Sequence, residues 1–243
     1  MPPELLYVLP ILFLAALCRA TFGFGDALLA MPPLVLALGA PVATPLMALV
    51  AFTIGVGILL RGWREVDWGE AWRLIAASAL GIPLGIVLLR QAPERWIKVA
   101  LGLIVVGYAL YSLARQRAAT PGPRLQSPRW AWPFGFVAGL LGGAYNTNGP
   151  PAVVYGTLRG WEPQRFRATL QGYFLPAGGL VVVAHGLSGL WTAEVGWLYL
   201  GALPAVGAGL ALGSWLHPKL PPGRFDVALN VLLLVLGALL LAP

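Results

Sequence analysis

Two short stretches hold most of the polar chemistry that interrupts otherwise apolar sequence. The first is Arg19-Ala-Thr-Phe-Gly-Phe-Gly-Asp26, in which a cation and a carboxylate flank Phe22, Gly23, Phe24 and Gly25. The second is Asn146-Thr147-Asn148-Gly149, followed by Pro150 and Pro151. Polar groups at membrane depth are costly and are functional suspects by default. Glycines let the backbone approach a ligand closely, and a proline pair suits the first turn of a restarting helix, where no N–H is needed. The free N–H groups and partial positive charge of such helix N-termini attract anions. Asn146, Thr147 and Asn148 add donors, and Arg19 either supplies a full positive charge or balances Asp26. The expected chemistry is coordination of a small anion by Arg19, Gly23, Phe24, Gly25, Asn146, Thr147, Asn148 and Gly149, with Asp26 a candidate carrier of a coupled proton. Gln171 and Tyr173, early in the next helix, are candidates to line the same cavity. Purely structural readings stand beside these: close helix packing at Gly23 and Gly25, and an Arg19–Asp26 ion pair that touches no ligand. Arg165 and Arg167 read as topology-setting charges that also draw anions to a mouth. His185 reads as a satisfied interfacial residue near the outer end of its helix, and Cys18 as packing.

Other chemistries fail on the same inventory. Gly23-Phe-Gly-Asp26 matches the GxGD pattern of intramembrane aspartyl proteases, but that reaction needs two carboxylates, one acid and one base. No second Asp or Glu is expected deep in a helix. A nucleophilic serine would need an adjacent base, and no helix offers a convincing pair. A cation pump would want several buried carboxylates. No Cys/His cluster or phosphate-cradling loop implies a metal or cofactor, so no enzyme is expected.

The elements that must position these residues follow from composition. Of 243 residues 58% are hydrophobic and 10% charged, against about 25% charged in a soluble domain. Apolar stretches such as Ile75–Leu89, Val99–Leu113, Leu170–Ala184 and Val227–Ala242 approach, with their flanks, the roughly 20 residues that cross a hydrocarbon core. The chain reads as an all-α integral membrane protein whose partner is the lipid bilayer; a homodimer is compatible with it. The segment before Arg19 has no Lys or Arg, so it lacks the basic start of a signal peptide. The net charge of +7 falls in short loops and not on one aromatic-interleaved patch, which argues for anionic headgroups and against nucleic acid. Trp63, Trp68, Trp72, Trp96, Trp130, Trp161 and Trp191 lie beside those loops, where interfacial aromatics belong.

Residues 115–129, RQRAATPGPRLQSPR, read as an exposed basic linker between membrane repeats at 1–114 and 130–243. Phe13-Leu-Ala-Ala-Leu17 answers Phe136-Val-Ala-Gly-Leu140 at an offset of 123, Glu70 to Leu74 answers Glu194 to Leu198 at 124, and Arg95-Trp96 answers Arg224-Phe225. Each half then has one broken segment and three ordinary ones, near 44–60, 72–90 and 97–114, and near 168–186, 195–216 and 225–242. As one helix, Leu5–Leu38 would reach about 51 Å at 1.5 Å per residue, too long for a single crossing. Charge decides how the breaks run. If both broken segments turn back as re-entrant hairpins, twelve basic residues share one face and Arg90, Arg95 and Lys98 the other; if both cross, the split is seven against eight. Only hairpins obey the positive-inside rule. With one hairpin and three crossings per half, the repeats are inverted, the tips approach near the midplane, both termini face outward and the linker is cytoplasmic.

Ala20-Thr-Phe-Gly-Phe-Gly-Asp26 leading to Met31-Pro-Pro33, and Gly135-Phe-Val-Ala-Gly-Leu-Leu-Gly-Gly143 before the second break, resemble the TauE/SafE family of membrane permeases. The resemblance covers essentially the whole chain. It departs at the breaks, where the family often carries a richer glycine run and this chain has Asp26 and Asn146-Thr-Asn148. It implies a transporter of the bacterial inner membrane that exports sulfite or an organosulfonate such as sulfoacetate. An uptake permease for organosulfonates and a non-transporting membrane scaffold are the alternatives.

Overall fold

The computed structural model describes residues 4–59, 66–117, 125–219 and 224–241. Arg61, Trp63, Arg64, Arg124 and the middle of the linker lie outside these. Ten helices follow one another among the described residues: α1 (Leu5–Phe22), α2 (Asp26–Leu38), α3 (Ala40–Leu59), α4 (Trp68–Gln91), α5 (Glu94–Arg117), α6 (Ala131–Tyr145), α7 (Gly149–Arg159), α8 (Pro163–Leu187), α9 (Ala193–Leu216) and α10 (Arg224–Leu241). Short 3-10 turns at Pro128–Trp130 and His217–Lys219 complete the list. Six of the described helices are long and apolar enough to cross a membrane. Their starts follow ordinary capping chemistry. The Asp67 carboxylate accepts from Glu70 N at the head of α4, and Thr192 Oγ1 accepts from Val195 N at the head of α9, satisfying donors that a helix start leaves orphaned.

Small residues set the packing. A methyl added at Gly81 or Gly85 would lie 2.2 Å from Phe136 O or 2.1 Å from Leu140 O, and one at Gly139 2.2 Å from Ser78 O. Helices α4 and α6 therefore touch backbone to backbone, and because residue numbers rise together along the seam they run parallel. The pair α1 and α9 repeats this: methyls at Gly209 and Gly213 would meet Phe13 O at 2.4 Å and Leu17 O at 2.6 Å. Thus the first helix of each half lies along the fourth helix of the other. Phe13 and Phe136, and Leu17 and Leu140, hold equivalent places in the two seams. Their partners pair Gly81 with Gly209, an offset of 128, so the Glu70–Glu194 pairing at 124 is one helical turn out of register. Corresponding helices also pair with each other, but antiparallel. Gly102 meets Gly237 while Ser112 receives a hydrogen bond from Asn230 (2.9 Å) between α5 and α10, and Phe52 meets Gly179 while Gly55 meets Leu175 between α3 and α8.

These directions make both broken segments hairpins. Helix α7 returns to the level from which α6 set out, since Leu125 N donates to Leu158 O (2.8 Å) and Arg159 Nη1 donates to Leu125 O and Gln126 O (2.8 Å each). Helix α1 runs towards the face that carries the linker, and α2 runs back. At 18 residues, or about 27 Å, α1 is a full-length arm and not a half-helix. Its end is held by the residues that close α9, so the first tip lies nearer the linker face than a midplane meeting would put it.

On the linker face Arg165 forms an ion pair with Asp67. Burial alone pushes the Asp67 carboxyl up, but the Arg165 hydrogen bond and charge, with the N–H groups of Glu70 and Gly69, outweigh it and hold the carboxyl below its usual 3.8. A depressed carboxylate stabilises the fold above its unfolded pKa, and that contribution is lost as pH falls through the folded value. Thermal stability should therefore drop on acidification below about pH 4, and less steeply in Asp67→Asn; equal slopes would remove Asp67 from the account. Trp68, Trp72, Trp96, Trp130 and Trp191 are exposed at helix ends. Trp161 differs, being partly buried and packed edge-on against Tyr155 at 5.6 Å and against Phe166 at 6.3 Å.

Candidate functional site

Both breaks are made by left-handed backbone. Gly23 (φ 87°) ends α1, with its N–H on Arg19 O, and Gly25 (φ 96°) precedes α2. A side chain at either would be strained, so these glycines serve the break itself and not close packing. Asn146 (φ 52°) ends α6 in the place equivalent to Gly23, and it is the one described non-glycine residue with positive φ. Asparagine tolerates that conformation better than most residues. Pro150 follows Gly149 in the first turn of α7, as its missing N–H allows.

The two tips flank one small cavity. It is lined by Arg19, Phe24, Gly25 and Asp26 from the first break, by Asn146, Thr147, Asn148 and Gly149 from the second, and by Ala51, Phe174 and Gly178 from α3 and α8, among others. Its volume is about 20 Å³, enough for an occupant the size of a water. Gly25 to Leu28 at the start of α2 line this space, and no side chain caps that helix. Helix α7 contributes less backbone donation than the sequence suggests, because two prolines occupy its first turn.

Arg19 and Asp26 are 5% and 7% exposed and form an ion pair of 2.9 Å between Nη1 and Oδ2. The guanidinium also lies over the Phe174 ring, 5.2 Å from its centroid. The sequence left open whether Arg19 balances Asp26 or faces a ligand; the geometry has it pairing with Asp26 while it lines the cavity. Burial this complete leaves some groups without protein partners among the described residues: Arg19 Nε, Thr147 Oγ1 and Gln171 Oε1. Buried polar atoms are nearly always hydrogen-bonded, so the two orphans on residues that line the cavity, Arg19 Nε and Thr147 Oγ1, call for an explanation.

Gln171 and Tyr173 stand behind the cavity. The Gln171 amide donates to Gly23 O and so holds the first break. The Tyr173 hydroxyl, fully buried, hydrogen-bonds Ser78 Oγ at 2.9 Å, which in turn donates to Gly135 O at 2.8 Å, making Tyr173 a positioning residue for the helix that leads to the second break. Arg167 is not a free cation at a mouth. It donates from Nη1 to His217 Nε2 (2.6 Å), while His217 Nδ1 donates to Thr21 O (2.8 Å). Burial and then the Arg167 charge hold the His217 ring below its usual 6.5 despite the Thr21 bond. His185 is fully buried against Gly143 O (2.9 Å), not interfacial as expected from its place at the end of α8. A second buried carboxylate was also missed. Glu70, 6% exposed, accepts 2.6 Å hydrogen bonds from Tyr155 Oη and Arg159 Nη2 at the root of the second hairpin.

Comparison with known proteins places this architecture. The profile described as Sulfite exporter TauE/SafE matches residues 8–240. The chain belongs to the TauE/SafE family. It is also 28% identical over 180 residues, 72% of either chain, to the probable inner membrane transporter protein TsaS of Comamonas testosteroni. No solved structure matches it. As a TauE/SafE member the protein is a multi-pass inner-membrane transporter and not an enzyme.

Proposed function

We propose that the protein exports a small sulfur oxyanion, sulfite or an organosulfonate such as sulfoacetate, by alternating access around the cavity between the two breaks. The observation that carries this is the convergence of two helix starts and of Arg19 and Thr147, whose Nε and Oγ1 are orphaned, on one small cavity. Oriented N–H groups beside a paired guanidinium suit an anion and penalise a cation. In this reading Asn146, Thr147, Asn148 and the N–H groups from Gly25 and Gly149 bind oxygens, with Phe24 packed over them. Gly23, Gln171 and Tyr173 keep the breaks in shape. Arg19 supplies charge, and Asp26 carries a coupled proton where one is used.

The halves 1–114 and 130–243, joined by the linker 115–129, act as inverted repeats. The antiparallel pairing of α5 with α10 and of α3 with α8 supports this, because an axis that swaps antiparallel helices lies across them. The basic linker face is the cytoplasmic one, with both termini outside. A membrane potential negative inside then drives anion exit by about 2.3 kcal/mol per charge per 100 mV. An uptake permease would use the same site with coupling.

The test is sulfite flux in proteoliposomes, with sulfate and taurine as competitors. Hydrogen bonds to charged groups are worth about 1.5–3 kcal/mol, so Asn148→Ala should weaken half-saturation by roughly 10- to 100-fold. Wild-type flux that survives unchanged in the variant moves the site elsewhere. Absence of wild-type flux sinks sulfite as the cargo.

A further inference from the structure

A second, larger cavity opens beside the first. It lies between α2, α5, α7 and α10, near the ends of α5 and α7 on the linker face, with a volume of about 380 Å³. Phe24, Gly25 and Leu28 line both cavities, so the two adjoin at the first tip. The Phe24 ring stands edge-on to Tyr108, 6.2 Å between centroids and 87° between planes, where the two cavities meet.

Polar groups interrupt the largely apolar wall of the larger cavity. Arg115, Tyr111, Ser112, Thr157 and Asn230 face it. The Tyr111 hydroxyl is shielded from solvent and has no partner among the described residues. Asn230, 3% exposed, donates to Ser112 Oγ at 2.9 Å, which uses one amide hydrogen and leaves the other. A carboxamide flanked by apolar residues within a membrane helix is costly unless it serves a polar partner or occupant. Arginine with neutral hydroxyl and amide donors is a set that recognises an oxyanion, and Arg115 forms no ion pair among the described residues.

We propose that this cavity is a second anion-holding site, a waiting position for an oxyanion on the linker face, closed off from the tip cavity by Phe24. The inference rests on the anion-carrier reading and deepens it. The large cavity admits an anion with part of its hydration shell, and Arg115, Tyr111 and Asn230 replace the water it sheds. The small one beyond Phe24 admits it only once the ring moves from Tyr108. The structure is accordingly a state open to the linker face and shut beyond the tips.

The experiment uses purified full-length protein in detergent and reads binding without transport. Thr157 already spends its hydroxyl on Val153 O, 2.8 Å away within α7, so Thr157→Cys in a Cys18→Ala background puts a thiol on the wall at little cost. The rate of its reaction with a fluorescent maleimide is followed in sulfate and in chloride of equal ionic strength, which matches the screening. Sulfate should slow labelling by about tenfold relative to chloride, as one charge-assisted hydrogen bond would. Arg115→Gln should abolish the slowing and Arg115→Lys should keep part of it. Equal rates in the two salts, or protection that survives Arg115→Gln, overturn the proposal whatever the flux assay gives. Protection in a protein that carries no sulfite supports the waiting site while the cargo reading falls.

Discussion

Arg19→Gln is expected to destabilise the protein by about 3–5 kcal/mol, the usual cost of leaving a buried charge without its partner, and to abolish flux. For a chain of this size that is a fall of roughly 6–20 °C in Tm. The size of the effect follows from burial, since both members of the pair are under a tenth exposed and the carboxylate left behind is cut off from bulk water. The double variant Arg19→Gln/Asp26→Asn removes both charges, keeps a hydrogen-bonding shape and should recover most of the stability. Its flux should stay absent if Arg19 also serves the anion. A double variant that transports as well as wild type would reduce the pair to scaffolding. Asp26→Asn alone separates the remaining role: a flux–pH profile that flattens assigns the coupled proton to Asp26, and an unchanged profile takes that role away.

Gly85→Val should be as damaging for a different reason. A Cβ at Gly85 would stand 2.1 Å from Leu140 O and 2.8 Å from Ala144 N, all of it backbone. Nothing there can rotate aside, so α6 must leave its seam with α4 and take Asn146 to Asn148 with it. The loss should reach or exceed the top of the roughly 1–3 kcal/mol range for overpacking. Gly207→Ala on α9 is the control, since nothing lies within 4 Å of a methyl placed there. In a helix interior it should stabilise by up to about 1 kcal/mol. Fluorescence-detected size exclusion after graded heating reads both. A Gly85→Val protein with wild-type Tm would mean that the seam is looser than these distances.

How far the sequence could be read depended on whether the physics was local. Membrane helices, the two breaks and the proline restart of α7 follow from runs of apolar residues and from Gly and Pro, all visible within a few positions. That both broken segments turn back was reachable from the way basic residues sort by side. What failed depended on distant partners. Glu70 looks like a surface residue at a helix start until Tyr155 and Arg159 are brought to it by the returning arm of the second hairpin. Trp161 resembles its interfacial counterparts in sequence, yet Tyr155 and Phe166 fold over it. Arg167 reads as a mouth charge until His217, fifty residues away, accepts from it. Asn230 is the instructive omission. A lone carboxamide in an apolar helix was legible by the same rule that picked out Asn146 and Asn148, but nothing local paired it with Ser112 or with a cavity.

The exchange of arms between the halves sets a timetable for synthesis. Helix α1 leaves the ribosome some 170 residues before α9, the helix along which it finally lies, and at about 5–20 residues per second that is a wait of roughly 9–34 s. Through that interval the newborn hairpin holds Arg19 and Asp26 in lipid with its true neighbour still unmade. Seven positions apart on facing sides of one turn, the two charges need only each other to be neutral. A pair made within one hairpin asks nothing of the second half, so the neutrality of these two charges does not wait for the chain to be finished.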